Sequence, residues 1–507
     1  MLALAKISNR NIFYVISILT LSLLLRIIFF GNRDLLVEEA YYWNYAIHLD
    51  FGYLDHPPLI ALLIKLSTGL FGTNESAVRF PGLLAWLVTV YFSYKWTELL
   101  QKGAGIFAVL LLSILPFFFL YSIFMTPDSL LMACWSALLY MLYQALCCNK
   151  VKAWYYAGFI LGLGLLSKYS ILLLVFTTGV YLLVTPEARI WFSRKEPYIG
   201  LLIALLLFSP VIYWNAMHDW ASFAFQSTRR IQKNFYFSFH YLIGLWFLFL
   251  TPVGLLESIK LLKKSSYDII GAHKNTIRFL RYYTLIPLII FALFSLSRQI
   301  KFDWIGPIVL ALIPWFALLC ARHFSTILKW IITSITLLII YAAILFCVTY
   351  GQPEEVNKRL FFGVISWNNF TQELYKVAQN LEAKGEKPAF ASLESYNIAS
   401  ELVFYQTKQF KKHQITQVFP VRGAQVFGFG SLMFDYWYKS DSLKGKTIIL
   451  LSRTPDLFTN PAIPRVAIAL SPVTAFFGRS QGELEPVREY YYQLVRLKPD
   501  VDLNINV

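Results

Sequence analysis

The chain reads as a polytopic α-helical membrane protein that ends in a small α/β domain outside the membrane. Three observations predict this. Of the 507 residues 57% are hydrophobic and only 15% are charged, against about 25% charged in soluble domains. Apolar runs of membrane-spanning length recur from residue 11 to residue 349, and from Gly351 onward none is long enough to cross. The net charge of +16 would suggest nucleic acid as a partner in a soluble chain, but the basic residues sit in short loops between apolar runs, where they set orientation. No nucleic-acid partner is expected.

Lys6 and Arg10 precede the first apolar run, which is too long for a signal-peptide core and is read as an uncleaved first span. Further spans are expected near 80–98, 104–123, 129–147, 198–213, 237–256, 283–297, 304–321 and 327–349. The apolar stretch 59–71 is too short to cross. It follows Pro58, a good first helical residue, and is expected to form a helix at the membrane surface.

The stretch 153–184 is interrupted by Ser167-Lys168-Tyr169. Two short spans meeting at Lys168 put eleven basic residues of the later loops inside and five outside; one long span would invert this. The expectation is therefore eleven spans, with the N-terminus cytoplasmic and the C-terminal domain, 351–507, periplasmic. That domain shows strand-like runs at Pro388–Ser392 and Thr447–Leu451 and a helical pattern at Ser395–Tyr405. The five cysteines lie in or beside apolar spans, so no disulfide framework supports it.

Outer loop 31–79 carries the densest polar chemistry. Glu38 and Glu39 follow the first span, and Asp55 and His56 precede Pro57-Pro58. An acid beside the membrane surface, with a second acid next to it, suits a general base. The competing reading is a pair of acids at a helix start, favoured by its dipole. Asp128 follows Thr126-Pro127, an N-cap and N1 pattern, so it too has a structural explanation. Lys168 breaks an apolar stretch, and an ionisable residue at membrane depth points to a site; a snorkelling lysine is the alternative.

Asp55, His56, Tyr169, Asn215, His218, Arg229 and Asp303 are further candidates for substrate binding, and Arg298 and Lys301 for binding an anion. No His/Cys spacing resembles a zinc site, so no metal centre is predicted. Trp214, Trp220 and Trp304 read as interfacial belt residues. The glycines from Gly423 to Gly430 read as a turn rather than a nucleotide loop.

Taken together, EEAYYWNYAIHLDFGYLDHPPLIA, MTPDSLL, GLGLLSKYS, SPVIYWNAMHDWASFAFQ, KFDWIGPIVLAL and ESYNIASELVFYQ resemble the bacterial polytopic glycosyltransferases of the C-type fold. That group includes lipid A aminoarabinose and galacturonic acid transferases and is similar to protein O-mannosyltransferases. The resemblance implies inverting transfer of a sugar from a polyprenyl phosphate to lipid A, another glycan or a protein on the periplasmic face of the inner membrane.

It also implies that Glu38, Glu39 and Asp128 are catalytic and that Lys168, with Arg298 and Lys301, binds the donor phosphate. Glu38 stands where the family usually has an aspartate, and Asp303 precedes Trp304 where relatives often have a neutral residue; it is expected to meet a substrate amine or to pair with Lys301. The departing phosphate is already anionic, so no cofactor is expected to be required; a divalent metal is compatible with the scheme but not implied. The competing class is a transporter or lipid-linked-sugar flippase. Such proteins usually place ionisable groups near the midplane in paired halves, and no matching second half is visible here.

Overall fold

The computed structural model describes residues 9–31, 33–227, 235–263, 266, 274–350, 366–438, 440–479 and 486–499. The chain divides into two compact units, each assembled from three separate stretches. The helical unit comprises Met1–Phe30, Asp50–Ile60 and Arg79–Ala342, and the α/β unit comprises Gly31–Leu49, Ala61–Val78 and Ala343–Val507.

In chain order the helices are α1 (Asn9–Gly31), α2 (Val37–Ile47), α3 (Leu59–Phe71), α4 (Glu75–Leu100), α5 (Gly105–Ile114), α6 (Pro116–Tyr121), α7 (Pro127–Leu146), α8 (Ala153–Leu165), α9 (Leu172–Val184), α10 (Glu196–Met217), α11 (Ala221–Gln226), α12 (Phe239–Leu262), α13 (Lys274–Ser295), α14 (Ile313–Arg322) and α15 (Phe324–Tyr350). Seven of them, α1, α4, α7, α10, α12, α13 and α15, are long and apolar enough to cross a membrane. This makes the chain a multi-pass membrane protein.

The other four of the eleven expected spans are broken or shortened. The stretch 104–123 splits at Leu115, whose extended backbone (ψ 135°) precedes Pro116; a residue before proline is driven out of the helical region. The stretch 153–184 splits at Lys168 into α8 and α9. The stretch 304–321 contains Pro307 and Pro314 and forms a 3₁₀ segment, Gly306–Ala311, before α14. The helix expected at 59–71 is α3.

Two features lock the helical unit. The first is a glycine crossing of α8 and α10, where a methyl on Gly158 would fall 2.1 Å from the Gly200 carbonyl oxygen. Small residues let membrane helices approach backbone to backbone. The second is Arg26 of α1, which is 2% exposed. Its Nε donates to Ser122 Oγ at 2.6 Å and its Nη2 to the Ser113 carbonyl at 3.0 Å, while Nη1 donates to the carbonyl and hydroxyl of Ser22. The guanidinium also lies 4.4 Å from the Trp86 ring and 4.5 Å from the Phe119 ring. A charge at this depth needs such a full set of acceptors.

The α/β unit adds α16 (Trp367–Glu382), α17 (Asn397–Lys411) and a six-stranded sheet. Its strands are β1 (Pro388–Ser392), β2 (Val421–Arg422), β3 (Thr447–Ser452), β4 (Ala467–Ala469), β5 (Thr474–Arg479) and β6 (Pro486–Leu497). The order is β2-β1-β3-β6-β4, with β5 also paired to β6. The β1 strand is parallel to β2 and β3, and β6 is antiparallel to β3, β4 and β5. Ala389, Ala391, Ile448, Leu450 and Val495 build the core on one face. The glycine-rich stretch forms a short 3₁₀ turn that ends at Gly428 with φ 78°, a conformation that glycine adopts without steric cost.

Helix α2 belongs to this unit. It packs on α17, with Asn44 Nδ2 donating to the Ser400 carbonyl at 3.2 Å and Trp43 meeting Phe404 edge to face at 5.0 Å. Just before α2, the Leu35 N–H donates to Tyr405 Oη at 2.8 Å.

Candidate active site

The break between α8 and α9 is built to present Lys168. Its backbone is extended (φ −157°, ψ 132°), and its N–H closes α8 on the Gly164 carbonyl at 2.8 Å. Buried Ser167 donates to the Pro127 carbonyl at 2.8 Å, which ties the break to the start of α7. The Leu166 carbonyl accepts the Leu59 N–H at 2.9 Å, which ties it to the His-Pro-Pro turn.

The Lys168 ammonium lies 2.8 Å from both Asp128 oxygens and 2.5 Å from Asp303 Oδ2. The side chains are 12%, 6% and 24% exposed in the order Lys168, Asp128, Asp303. Two carboxylates therefore share one ammonium, and its three protons are directed at them. The sequence reading sets Lys168 beside Arg298 and Lys301 at a phosphate; the fold turns it toward acids instead. Asp303 meets Lys168, and the charge of Lys301, its expected partner, also acts on it.

Beside this trio is a cavity of about 510 Å³. Its lining mixes polar side chains, His56, Lys168, Tyr169, Ser170 and Gln226, with apolar ones, Leu172, Leu173, Phe176, Ile290, Phe291 and Trp304. Gln226 Nε2 donates to the carbonyl of Asp55, a buried residue at the same turn, and Tyr169 Oη is 3.0 Å from Ser222 Oγ. Arg298 and Lys301 do not line this cavity. Arg298 donates to the Ser297 carbonyl at 3.3 Å, and its own carbonyl accepts from Ser238 at 2.6 Å.

Asn215 and His218 are engaged in holding the corner between α10 and α11. Asn215 is fully buried, donates to the Val211 carbonyl at 3.0 Å and accepts the Phe223 N–H at 3.2 Å. His218 stacks on Trp214 at 4.1 Å, and its Nδ1 faces the Trp214 carbonyl at 2.8 Å, which sets the proton on Nδ1. Trp214 is 2% exposed, so it is a core residue rather than a belt residue. Its Nε1 donates to Asp50 Oδ2 at 2.9 Å over Gly52, where a methyl would meet the indole at 2.9 Å. Arg229 lies outside the described residues.

In the α/β unit the acid pair divides. Glu39 is buried at 0% exposure, and its Oε2 accepts the Leu36 N–H at 2.9 Å. That is the reciprocal half of a capping box, which satisfies a donor that the helix leaves open. Glu38, one residue earlier, is exposed. The two readings of the pair thus separate by residue: Glu39 is a helix-start acid, and Glu38 is open to a ligand.

Sequence reasoning missed three groups. Arg26 carried a signal, a lone charge near the end of an apolar run. The pairing of Asp303 with Lys168 joins residues 135 apart, and no local pattern encodes it. Glu401 sits in an ordinary amphipathic helix and carried none.

Residues 55–214 match the family described as dolichyl-phosphate-mannose-protein mannosyltransferase. The chain is 28% identical over 194 residues to the lipid A galacturonosyltransferase RgtD of Rhizobium johnstonii. That match covers 38% of this chain and spans 40% of the relative's length. The crystal structure of ArnT from Cupriavidus metallidurans in the apo state superposes with a TM-score of 0.62 at 14% identity, covering 95% of this chain and 97% of that one. The structure of ArnT from the same organism bound to undecaprenyl phosphate gives 0.62 at 15% identity, covering 95% and 98%. The chain therefore has the fold of ArnT, and the matched family segment supplies the His-Pro-Pro turn, Asp128 and Lys168.

Proposed function

We propose that this protein is an inverting glycosyltransferase of the bacterial inner membrane, which moves a sugar from a polyprenyl phosphate to lipid A or another acceptor on the periplasmic face. One observation carries the reading. The cavity at Lys168 is lined by Lys168, Tyr169 and Ser170 together with Leu172, Leu173, Phe176, Ile290, Phe291 and Trp304, residue types suited to a phosphate and to an isoprenoid chain. A transferase named for lipid A and an ArnT structure holding undecaprenyl phosphate support the same class of substrates.

In this scheme the acceptor hydroxyl attacks the anomeric carbon, its proton passes to a carboxylate, and the bond to the polyprenyl phosphate oxygen breaks. Glu38 is exposed and has no capping duty, so it is assigned the proton. Lys168 stabilises the charge gained by the departing phosphate, and Ser170 and His56 line the same cavity. Asp128 fixes the lysine, and the more exposed Asp303 gives way to the phosphate.

The test supplies purified protein with undecaprenyl phosphate carrying galacturonic acid, aminoarabinose or a hexose, together with lipid A. Release of free undecaprenyl phosphate with a matching mass gain on the acceptor is expected, and Lys168→Met abolishes both. Movement of the intact lipid-linked sugar across vesicles without release would instead make the protein a transporter.

A further inference from the structure

Helix α17 carries a carboxyl group that the proposed reaction does not use. Glu401 is 0% exposed. Neither of its oxygens has a hydrogen-bond partner among the described residues. Its surroundings are acidic. The groups that act on it most strongly are Asp34 from the segment before α2, Glu39 and Glu38 from the first turn of α2, and Glu75 from the first turn of α4. Of the cations on these elements, Lys408 is 2.5 Å from Glu75, Arg33 feels the charge of Asp34, Arg79 donates to the Phe30 carbonyl at 3.1 Å, and Lys411 donates to Thr73 at 2.9 Å. On the other flank, α16 meets α17 through neutral groups, Gln409 Nε2 donating to the Asn368 carbonyl at 2.8 Å. Among the described residues no group of three His, Cys, Asp or Glu side chains is placed to hold a metal ion.

An ionised carboxylate in that position would be buried, unpaired and repelled by four neighbours. Burial and those neighbours hold its proton on to well above the usual carboxylate range. The location matters because α17 is the helix on which α2 rests. One turn beyond Glu401, Tyr405 accepts the Leu35 N–H, and the residue before Glu401, Ser400, accepts from Asn44. Glu401 thus lies on the stretch of α17 that faces α2, between the contacts to Asn44 and to Leu35.

We propose that Glu401 is a positioning residue, a neutral carboxylic acid that lets the acid-bearing end of α2 stay docked on α17, and that loss of its proton releases that end. The part of this claim that concerns transfer rests on the glycosyltransferase reading; the docking claim does not. The direction with pH follows from linkage. The unfolded chain releases this proton near pH 4.3, at about the ordinary glutamate value. The folded chain keeps it to higher pH, so the folded state weakens by about tenfold per pH unit between the two values.

The test uses the full chain in detergent or nanodiscs, comparing wild type with Glu401→Gln and with Glu401→Met, a variant that a site without hydrogen-bond partners accommodates. The first readout is amide exchange of peptides covering residues 37–47, corrected for intrinsic rates, from about pH 5 to about pH 9. Wild type is expected to lose about tenfold or more of its protection as pH rises, and both variants to keep it. Equal pH dependence in all three overturns the proposal. The second readout is the alkaline limb of transfer activity, expected to move up by about one unit in Glu401→Gln. An unmoved limb with altered exchange overturns the link to transfer. An inactive wild type counts against the glycosyltransferase reading, while the exchange result still decides the role of Glu401.

Discussion

Lys168 and Asp303 lie 2.5 Å apart although 135 residues separate them, and Asp128 holds the same ammonium at 2.8 Å. A lysine shared by two carboxylates is a poor free anion site, so under the proposed function the second acid is expected to act as a brake on phosphate binding. Asp303→Asn is expected to tighten undecaprenyl phosphate binding about fivefold to tenfold, an effect of about 1 kcal/mol. Lys168→Met leaves two acids facing each other and should cost about 3 kcal/mol of stability. Isothermal binding and thermal unfolding in detergent check the pair; weaker phosphate binding by Asp303→Asn would show that the acid assists binding.

The acid pair makes a split prediction. Glu38→Gln should lower the transfer rate by about 10²-fold to 10⁴-fold, the range of a lost general base, with the melting point unchanged. Glu39→Ala should remove the acceptor for the Leu36 N–H and cost about 1 kcal/mol of stability. Steady-state kinetics run beside calorimetry on both variants decides whether the roles divide in this way.

Arg26 offers a stability test far from the chemistry. Arg26→Met removes the donors to Ser22, Ser113 and Ser122 and both ring contacts, for an expected loss of about 2–4 kcal/mol. Arg26→Lys should recover less than half, because an ammonium does not reproduce the planar fork. Activity per folded molecule should stay near wild type, as a thermal-shift series with activity normalised to folded protein would reveal.

Below neutral pH the C-terminal end of α2 is expected to weaken through His48, which follows its last residue. Its ring stacks on Trp437 at 4.8 Å, and its Nε2 is 2.8 Å from Tyr438 Oη. Burial, and then the charge of Lys65, holds the imidazole below its ordinary value. The neutral form is therefore the folded form. Stability is full above about pH 6.5, where the unfolded chain is also neutral, and falls as pH drops toward the folded value. Tryptophan fluorescence should report loss of the stack between about pH 7 and about pH 5, and His48→Gln should flatten that response.

The glycine crossing gives a packing prediction. A Cβ at Gly158 would overlap the Gly200 carbonyl, so Gly158→Ala must part α8 from α10. A cost of about 1–3 kcal/mol is expected, the usual range for overpacking. A loss of stability smaller than that seen for Gly179→Ala, where a Cβ enters open space, would contradict the crossing.

Much of this was legible in the residues. Hydropathy located the seven long helices and the short α3, and the strand-like runs fell on β1 and β3. Lys168 stood out because an apolar stretch does not tolerate a charge without reason. The breaks at Leu115 and in 304–321 were less visible, since a hydropathy window ignores what Pro116, Pro307 and Pro314 do to the backbone. Asp303 on Lys168 and Glu401 beneath α2 could not be read, because both are tertiary juxtapositions of distant segments. The same holds for Trp214, which looked like an interfacial ring and is instead a donor to Asp50.

The α/β unit gathers Gly31–Leu49, Ala61–Val78 and Ala343–Val507. It is therefore discontinuous along the chain: two short stretches belong with a distant C-terminal third. A single crossover that exchanged the region after residue 342 between relatives would part α2 from α17 and leave Trp43 and Tyr405 facing foreign partners. Recombination of this architecture, natural or engineered, must exchange the three stretches together. For the same reason the acid-bearing loop and the C-terminal domain should have diverged at matched rates, as a receptor and its peptide do, even though the long helical-unit stretch Arg79–Ala342 separates them.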